Sequence, residues 1–312
     1  MKIGIDISGG DFAPGANVLG AILAKKELPD NAQIVLIGDQ ESICEELNKN
    51  GESPSDYEIV HAPDVITMND HPTRALPQKP NSSISRGFQL LANKEINSFA
   101  STGNTGAMLV GAIYKVNAIP GIIRPCITSL LPIENGGNAL ILDVGANADC
   151  KPDVLYQFAI LGSLYAKNVL SIENPKVALL NIGEEEAKGN LLTQSTYKIM
   201  DQTTDFNFIG NLEGRDLFTG KADVVVCDGF TGNVVLKQAE GLYTIMKQRG
   251  IKDEYFDRFN YENYGGTPIL GVNSDVIIGH GISNEIAVKN MLVHAYDVAE
   301  SGLTRKIKEA FK

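Results

Sequence analysis

Short apolar runs alternate with stretches whose hydrophobic residues recur at helical spacing along the whole chain. The runs predict strands over Lys2–Ser8, Gln33–Gly38, Tyr57–His61, Ser98–Ser101, Cys126–Leu131, Ala139–Val144, Lys176–Asn181, Phe206–Ile209, Asp223–Cys227 and Val276–Ile278. Several are continuous and β-branched, such as Ile34-Val35-Leu36-Ile37, which suits a parallel sheet buried on both faces. Helices are predicted over Pro14–Lys26, Glu41–Asn50, Ser82–Asn93, Thr105–Asn117, Pro152–Asn168, Asn190–Met200, Asn233–Arg249 and Ser283–Glu300. Strand–helix alternation of this kind predicts an α/β fold with right-handed crossovers. No low-complexity tract or linker breaks the pattern, so residues 1–312 read as one domain. An internal subdivision is expected near 120–142, where helices give way to two successive strands.

Glycine, asparagine and aspartate repeatedly follow the predicted strand ends. The loops are Asp6-Ile7-Ser8-Gly9-Gly10-Asp11, Ser101–Gly106, Asp143–Asn147, Asn181–Gly183 and Asp228–Asn233. In open α/β sheets ligands bind outside the carboxyl ends of strands, although such turns also use Gly and Asn for backbone reasons alone. Thr-Gly-Asn occurs at 102–104 and again at 231–233, each time after a strand and at a predicted helix start. There, exposed N–H groups can hold an anion, and helix capping is the alternative role. The segment Asn181–Asn190 sets Glu184, Glu185 and Glu186 beside Lys188, with Gly189-Asn190 opening a helix. A lysine there can hold phosphate or offset developing negative charge, and the carboxylates can position it or bind a cation. A solvated charged loop is the plainer reading.

Composition removes several classes. Lys and Arg number 27 and Asp and Glu 38, a net charge of −11, which disfavours a general nucleic-acid binder. Cys44, Cys126, Cys150 and Cys227 form no C-x-x-C pair and read as reduced thiols of an intracellular protein. No signal peptide or membrane-spanning run is visible, so a cytoplasmic protein is expected. No Walker A motif, G-x-S-x-G elbow or dinucleotide fingerprint is present. Asp6, Asp11, Asp143, Asp149, Asp228 and Glu184–Glu186 suit magnesium in type, but no spacing forces a metal. His280, in Gly279-His280-Gly281 after a strand, either reaches the cleft or packs internally.

Taken in order, these motifs resemble one family. They are Asp6-x-x-Gly-Gly-Asp11, Thr102–Gly106, Leu142–Asn147 with Asp149–Pro152, Asn181–Glu185, Lys188–Asn190, Gly210–Asp216, Cys227–Lys237, Tyr264–Gly271 and His280-Gly281. Together they resemble the phosphate acyltransferases of bacterial phospholipid synthesis (the PlsX family) over essentially the whole chain. The resemblance implies a Rossmann-like three-layer α/β/α sandwich of the isocitrate dehydrogenase/phosphotransacetylase-like type. It implies transfer of a fatty acyl group from acyl carrier protein to inorganic phosphate, giving an acyl phosphate that feeds a glycerol-3-phosphate acyltransferase. It implies no cofactor and no metal, a homodimer, no nucleic-acid partner, and peripheral contact with the inner face of the cell membrane. Carried onto this chain, Lys188 orients phosphate and Asn233 donates to the oxyanion. The phosphate- and substrate-binding set is Asp6, Gly10, Asp11, Thr102, Gly103, Asn104, Thr105, Gly106, Asn147, Asn181, Gly183, Glu184, Glu185, Gly189, Asn190, Asp228, Gly229, Gly232 and His280.

The stretch between Lys237 and Tyr264 is shorter than in many such proteins and carries Tyr255, Phe256, Phe259 and Tyr261. The C-terminal segment Leu303–Lys312 reads as a basic amphipathic helix, either docked on the body or lying on anionic lipid. Arg74, Lys79, Arg86, Lys115 and Arg124 are the cations nearest the predicted loops for an acidic carrier protein. The apolar faces of Thr105–Asn117 and Asn233–Arg249 are candidates to shelter an acyl chain. The alternatives are a coenzyme A-dependent phosphate acetyl- or butyryltransferase and a non-catalytic membrane scaffold. A nicotinamide-dependent decarboxylating dehydrogenase lacks the arginine cluster it needs.

Overall fold

The computed structural model describes residues Met1 to Lys312. Its strands are β1 (Lys2–Asp6), β2 (Gln33–Gly38), β3 (Glu58–His61), β4 (Ser98–Ser101), β5 (Cys126–Pro132), β6 (Asn138–Leu142), β7 (Lys176–Asn181), β8 (Asn207–Glu213), β9 (Val224–Val226), β10 (Gly266–Leu270) and β11 (Asp275–Gly279). The chain divides into two compact units, Met1–Ala118 with Tyr261–Glu300, and Ile119–Asn260 with Ser301–Lys312.

In the first unit the strand order is β3-β2-β1-β4-β11-β10. All neighbours are parallel except β10, which runs antiparallel to β11. Ile3, Ile5 and the run Val35-Leu36-Ile37 are completely buried, as their continuous apolar sequence predicts. The helices Gly15–Glu27 and Glu285–Glu300 pack against each other. Gly20 permits that approach, since a β-carbon there would lie 2.5 Å from Val288.

In the second unit the order is β5-β6-β9-β7-β8. β6, β9, β7 and β8 are parallel and β5 is antiparallel to β6. The two successive strands of the sequence reading are thus a hairpin, because the short Ile133–Gly137 connection cannot make a crossover. The helix Pro152–Asn168 buries Leu155, Phe158, Leu161 and Tyr165. The C-terminal helix Leu303–Ala310 docks on it, burying Leu303 and Ile307, while Lys306 Nζ donates to Asn168 Oδ1 at 2.6 Å. Its apolar face is therefore engaged within the unit.

Other boundaries differ from expectation. β10 was not expected, since Gly-Gly-Thr-Pro reads as a turn and Pro268 is unusual in a strand. The helix Pro72–Gln78 was also unforeseen, with prolines at both ends of its sequence. The helix predicted over Thr105–Asn117 is α-helical only to Gly111, and a π-turn follows over Ala112–Val116. The helix predicted from Asn233 begins at Gly229 and runs to Gln248. No helix is long and apolar enough to cross a membrane.

Candidate active site

The loops of the first unit form a tightly braced cluster. Asp6 is buried, and its carboxylate accepts from Ser101 Oγ at 2.6 Å and from the Ser8 N–H at 3.0 Å. Burial pushes its pKa above the ordinary aspartate range, against the pull of these hydrogen bonds. Thr102 Oγ1 donates to Gly9 O at 2.9 Å. Gly9 and Gly103 nearly touch, since a β-carbon on Gly9 would lie 2.8 Å from Gly103 Cα. Gly10 adopts a φ of +93°, and a β-carbon there would meet Thr102 Oγ1.

Asn104 caps the helix Thr105–Gly111, accepting from the Ala107 N–H at 2.9 Å. Its amide donates to the carbonyls of Thr67 at 3.0 Å and Asp70 at 3.1 Å. Gly106 lies against Pro72. Asp11 and Thr105 are exposed, and the Asp11 N–H donates to Gly281 O at 2.7 Å. His280 is half-buried with its ring 5.2 Å from that of Tyr261. Asp6, Thr102 and Asn104 thus hold the first unit's turns together with their own polar groups. Asn17 joins them, its amide donating to Gly9 O at 2.7 Å and Ile7 O at 3.0 Å.

The second unit begins in a similar way. Asp143, just beyond β6, is completely buried. It accepts from the N–H groups of Ile127 (3.0 Å), Ala146 (3.2 Å) and Asn147 (2.6 Å), and from Asn147 Nδ2 at 2.9 Å. Burial raises its pKa as well. Asn147 is held further by its amide on Pro125 O at 2.8 Å, and its own carbonyl accepts from the Gly229 N–H at 2.7 Å. Asp228 caps the helix Gly229–Gln248, accepting from the Thr231 N–H at 2.8 Å and Thr231 Oγ1 at 2.9 Å. The second Thr-Gly-Asn therefore lies inside a helix and not at its start, because Asp228 caps the helix three residues before Thr231. Gly232 packs on the Asp143 carbonyl. Asn233 Nδ2 donates to Val144 O at 3.2 Å and faces Gly145, whose φ is +128°.

The segment 181–190 is shaped by residues the sequence motifs named and by one role they did not reveal. Asn181 Nδ2 donates to Lys188 O at 3.2 Å and to Asn211 Oδ1 at 3.1 Å. Asn211 Nδ2 donates in turn to Glu185 O at 3.0 Å. Gly189, at φ +93°, leaves room for Thr193 Oγ1 and Asn181 Oδ1. Asn190 caps the helix Leu191–Met200 through the Thr193 N–H at 2.9 Å. Gly183 is buried beneath the aliphatic stem of Lys188. Glu184 pairs with Lys221 at 3.2 Å, and Lys221 also reaches Asp216 at 2.9 Å. Glu185 and Lys188 are exposed. Thus Glu184 turns to Lys221, and the acidic run does not assemble a group of three metal-ligand side chains. Asn211 belongs to the quoted Gly210–Asp216 motif, but only its spatial position shows what it does.

A hollow of about 520 Å³ opens at these strand ends. Asn181, Gly189, Asn190, Thr193, Asp228 and Thr231 line it over a floor that includes Leu179 and Cys227. Of the expected site residues, Asn181, Gly189, Asn190 and Asp228 converge here. Lys188 directly precedes Gly189 in the loop. Asn147, Gly229, Gly232 and Asn233 brace the neighbouring turn. Burial pushes the thiols of Cys126 and Cys227 well up, and that of Cys150 up to about 12, so none is a ready thiolate nucleophile.

The family model described as "Fatty acid synthesis protein" matches residues 1–306. The phosphate acyltransferase of Dictyoglomus turgidum is 43% identical, over 99% of this chain and 97% of that protein. The chain belongs to the phosphate acyltransferase family. Another member, from Desulforamulus reducens, is 44% identical over 100% of this chain and 98% of its own length. Membership makes the chain an acyltransferase of fatty acid and phospholipid synthesis. Among solved structures, a phosphotransacetylase from Streptococcus pyogenes matches with TM-score 0.67 and 19% identity, covering 96% of this chain and 94% of the other. A branched-chain phosphotransacylase from Enterococcus faecalis matches with TM-score 0.64 and 16% identity, covering 96% and 98%. These two likenesses are in fold, and they agree with the phosphotransacetylase-like architecture expected of this phosphate acyltransferase family member.

Proposed function

We propose that the chain transfers a long-chain acyl group from acyl carrier protein to inorganic phosphate. A phosphate oxygen attacks the thioester carbonyl, an O–C bond forms, the C–S bond breaks, and the carrier leaves as a thiolate that takes a proton from water. The observation that carries this reading is the hollow between Asn181-Gly189-Asn190 and Asp228-Thr231, with Lys188 beside it. Two helix starts and the amides of Asn181 and Asn190 line it, and Lys188 directly precedes the lining residue Gly189, a set suited to a phosphate dianion. In this reading Lys188 holds and orients phosphate. Asn233 donates to the oxyanion once its amide leaves Val144 O. The high thiol pKa values of Cys150 and Cys227 favour direct displacement over an acyl-enzyme.

The carrier protein is acidic, so it needs cations on this acidic chain. Lys79 is already engaged by Asp70 at 2.6 Å, Arg86 donates to Gln89 Oε1 at 3.0 Å and Asn81 Oδ1 at 2.9 Å, and Arg124 donates to Asp149 O at 2.9 Å. Arg74 and Lys115 are the better candidates of the five. A homodimer, a peripheral membrane location and hand-over of the acyl phosphate to a glycerol-3-phosphate acyltransferase complete the reading.

The test is phosphate-dependent release of free carrier protein from hexadecanoyl-acyl carrier protein, with hexadecanoyl-coenzyme A as parallel donor. Wild type is expected to release carrier, and folded Lys188→Ala to lose that release. Turnover with coenzyme A alone would move the assignment to the soluble phosphotransacylases. Full activity in Lys188→Ala would remove Lys188 from the site.

A further inference from the structure

The backbone around Lys188 has no strand or helix to hold it. It lies in the loop between the end of β7 at Asn181 and the cap Asn190. Carbonyls of such an exposed loop ordinarily bond to water and leave the chain free to move. Here the carbonyls on both sides of the lysine are held by side-chain amides. Gln194 Nε2 donates to Ala187 O at 3.0 Å and to Gly189 O at 3.0 Å. Asn181 Nδ2 takes the carbonyl between them, Lys188 O, at 3.2 Å. Asn211 Nδ2 holds Glu185 O at 3.0 Å, a carbonyl that also accepts from the Lys188 N–H at 3.0 Å. The Lys188 side chain itself is exposed, with its stem over Gly183.

Gln194 reaches the loop because it sits in the first turn of the helix Leu191–Met200. Its N–H donates to Asn190 O at 3.0 Å, and helical side chains lean towards the helix N-terminus. A primary amide suits this place, since one NH2 group carries two donors and no charge. Asn181 and Asn211 also bond each other at 3.1 Å, so each supports more than the lysine. Both side-chain hydrogen bonds of Gln194 go to the carbonyls that flank Lys188. Gln194 lies outside every family motif of the chain.

We propose that Gln194 is a positioning residue for the reaction, a clamp that fixes the backbone of Lys188 and so sets where the lysine presents its charge. This rests on the reading above that Lys188 holds phosphate. Ordering a loop costs entropy, and a loop ordered in advance does not meet that cost at each turnover. A misplacement of about 1 Å in a group that orients a reactant lowers the rate by up to about 10²-fold. Gln194 touches neither phosphate nor the acyl group in this account, and its effect passes through Lys188 alone.

The experiment compares full-length wild type, Gln194→Leu, Gln194→Glu, Lys188→Ala and the double variant Lys188→Ala/Gln194→Leu. Leucine keeps helix propensity, and glutamate keeps the shape while losing both donors. Phosphate-dependent release of carrier from hexadecanoyl-acyl carrier protein gives kcat and KM for phosphate and for the acyl donor. Hydrogen exchange over residues 183–190 is measured on the same proteins. Both Gln194 variants are expected to lower kcat/KM for phosphate about tenfold, to leave KM for the acyl donor unchanged, and to speed exchange in the loop. In the Lys188→Ala background, Gln194→Leu is expected to change the residual rate by less than about twofold, because no lysine remains to be placed. A further loss of about tenfold in the double variant overturns the proposal, since Gln194 then acts independently of Lys188. Wild-type kcat/KM in both Gln194 variants beside a crippled Lys188→Ala overturns it as well and leaves the phosphate reading standing. Full activity in Lys188→Ala removes the phosphate reading and this role with it, and faster loop exchange in Gln194→Leu would then mark a brace without a catalytic purpose.

Discussion

Each unit has a buried aspartate at the end of a strand, Asp6 as the last residue of β1 and Asp143 directly after β6. Both carboxylates accept several hydrogen bonds from the adjoining turns, and burial raises both pKa values. The units diverge beyond that point. In the first, Thr102 and Asn104 close on Gly9, Thr67 and Asp70, so the polar groups satisfy one another. In the second, the loop 181–190 holds its backbone with Asn181 and Asn211 and leaves Lys188 and Asn190 exposed at the edge of a hollow. Similar strand-end motifs thus serve as braces in one unit and as a candidate site in the other. Both sets make internal hydrogen bonds, and the difference lies in exposure: Thr102 and Asn104 are buried, whereas Lys188 and Asn190 face solvent.

Substitutions should separate the two kinds of loop. Lys188→Ala is expected to have the largest effect. It should lower phosphate-dependent turnover by about 10²–10³-fold, the scale of removing one charge-stabilising donor, while urea unfolding stays at wild-type values. Acidification comes next and acts on the first unit. Burial lowers the pKa of His294, on the helix Glu285–Glu300, to about 4. The folded state therefore binds fewer protons than the unfolded state between about pH 6.5 and 4, and stability present above that window is lost as pH falls through it. The slope is about 1.4 kcal/mol per pH unit for one proton, or about 3 kcal/mol over the window. Urea titrations of wild type and His294→Gln at several pH values should show the excess slope in wild type alone. Asp6 and Asp143, whose pKa values are raised, act in the opposite sense above the ordinary aspartate pKa and do so in both units.

Two caps give a direct contrast. Asn104→Ala removes a buried cap and two part-buried bonds to the Thr67 and Asp70 carbonyls, so it should cost about 1–2 kcal/mol of unfolding free energy. Asn190→Ala removes an exposed cap and should cost about 1 kcal/mol, but it should raise KM for phosphate, which Asn104→Ala should do less. Reversed rankings would mean that the first unit's loop contacts substrate. Lys221→Met removes an exposed pair with Glu184 but also leaves the buried Asp216 carboxylate without its cation, so it should cost about 1–3 kcal/mol of unfolding free energy. Faster hydrogen exchange confined to residues 183–188 would show that Lys221 holds the loop through Glu184. No change there would leave Asn211 as its main support.

Much was legible along the chain. Continuous apolar runs such as Ile34–Ile37 are buried strands, and the predicted helix over Pro152–Asn168 agrees with the structure at both ends. The motifs from Asp6 to Gly281 marked the family, which the similarity to Dictyoglomus turgidum phosphate acyltransferase bears out. Periodicity did not reveal β10, where Pro268 obscures a strand, or the earlier helix start that makes Asp228 the cap. It also gave Thr102-Gly-Asn and Thr231-Gly-Asn the same appearance, although one precedes a helix and the other lies within one.

The sequence by itself determined the alternation of strands and helices, the positions of the strand-end turns and the membership of the family. All three follow from local residue order, because side-chain periodicity and turn chemistry act over a few residues. Only the tertiary structure decided which polar groups are satisfied internally, that Glu184 turns to Lys221, and that Asn181, Asn190 and Asp228 line one hollow. Those depend on residues distant in the chain meeting in space, where burial and hydrogen-bond partners are set by packing and not by the order of neighbours.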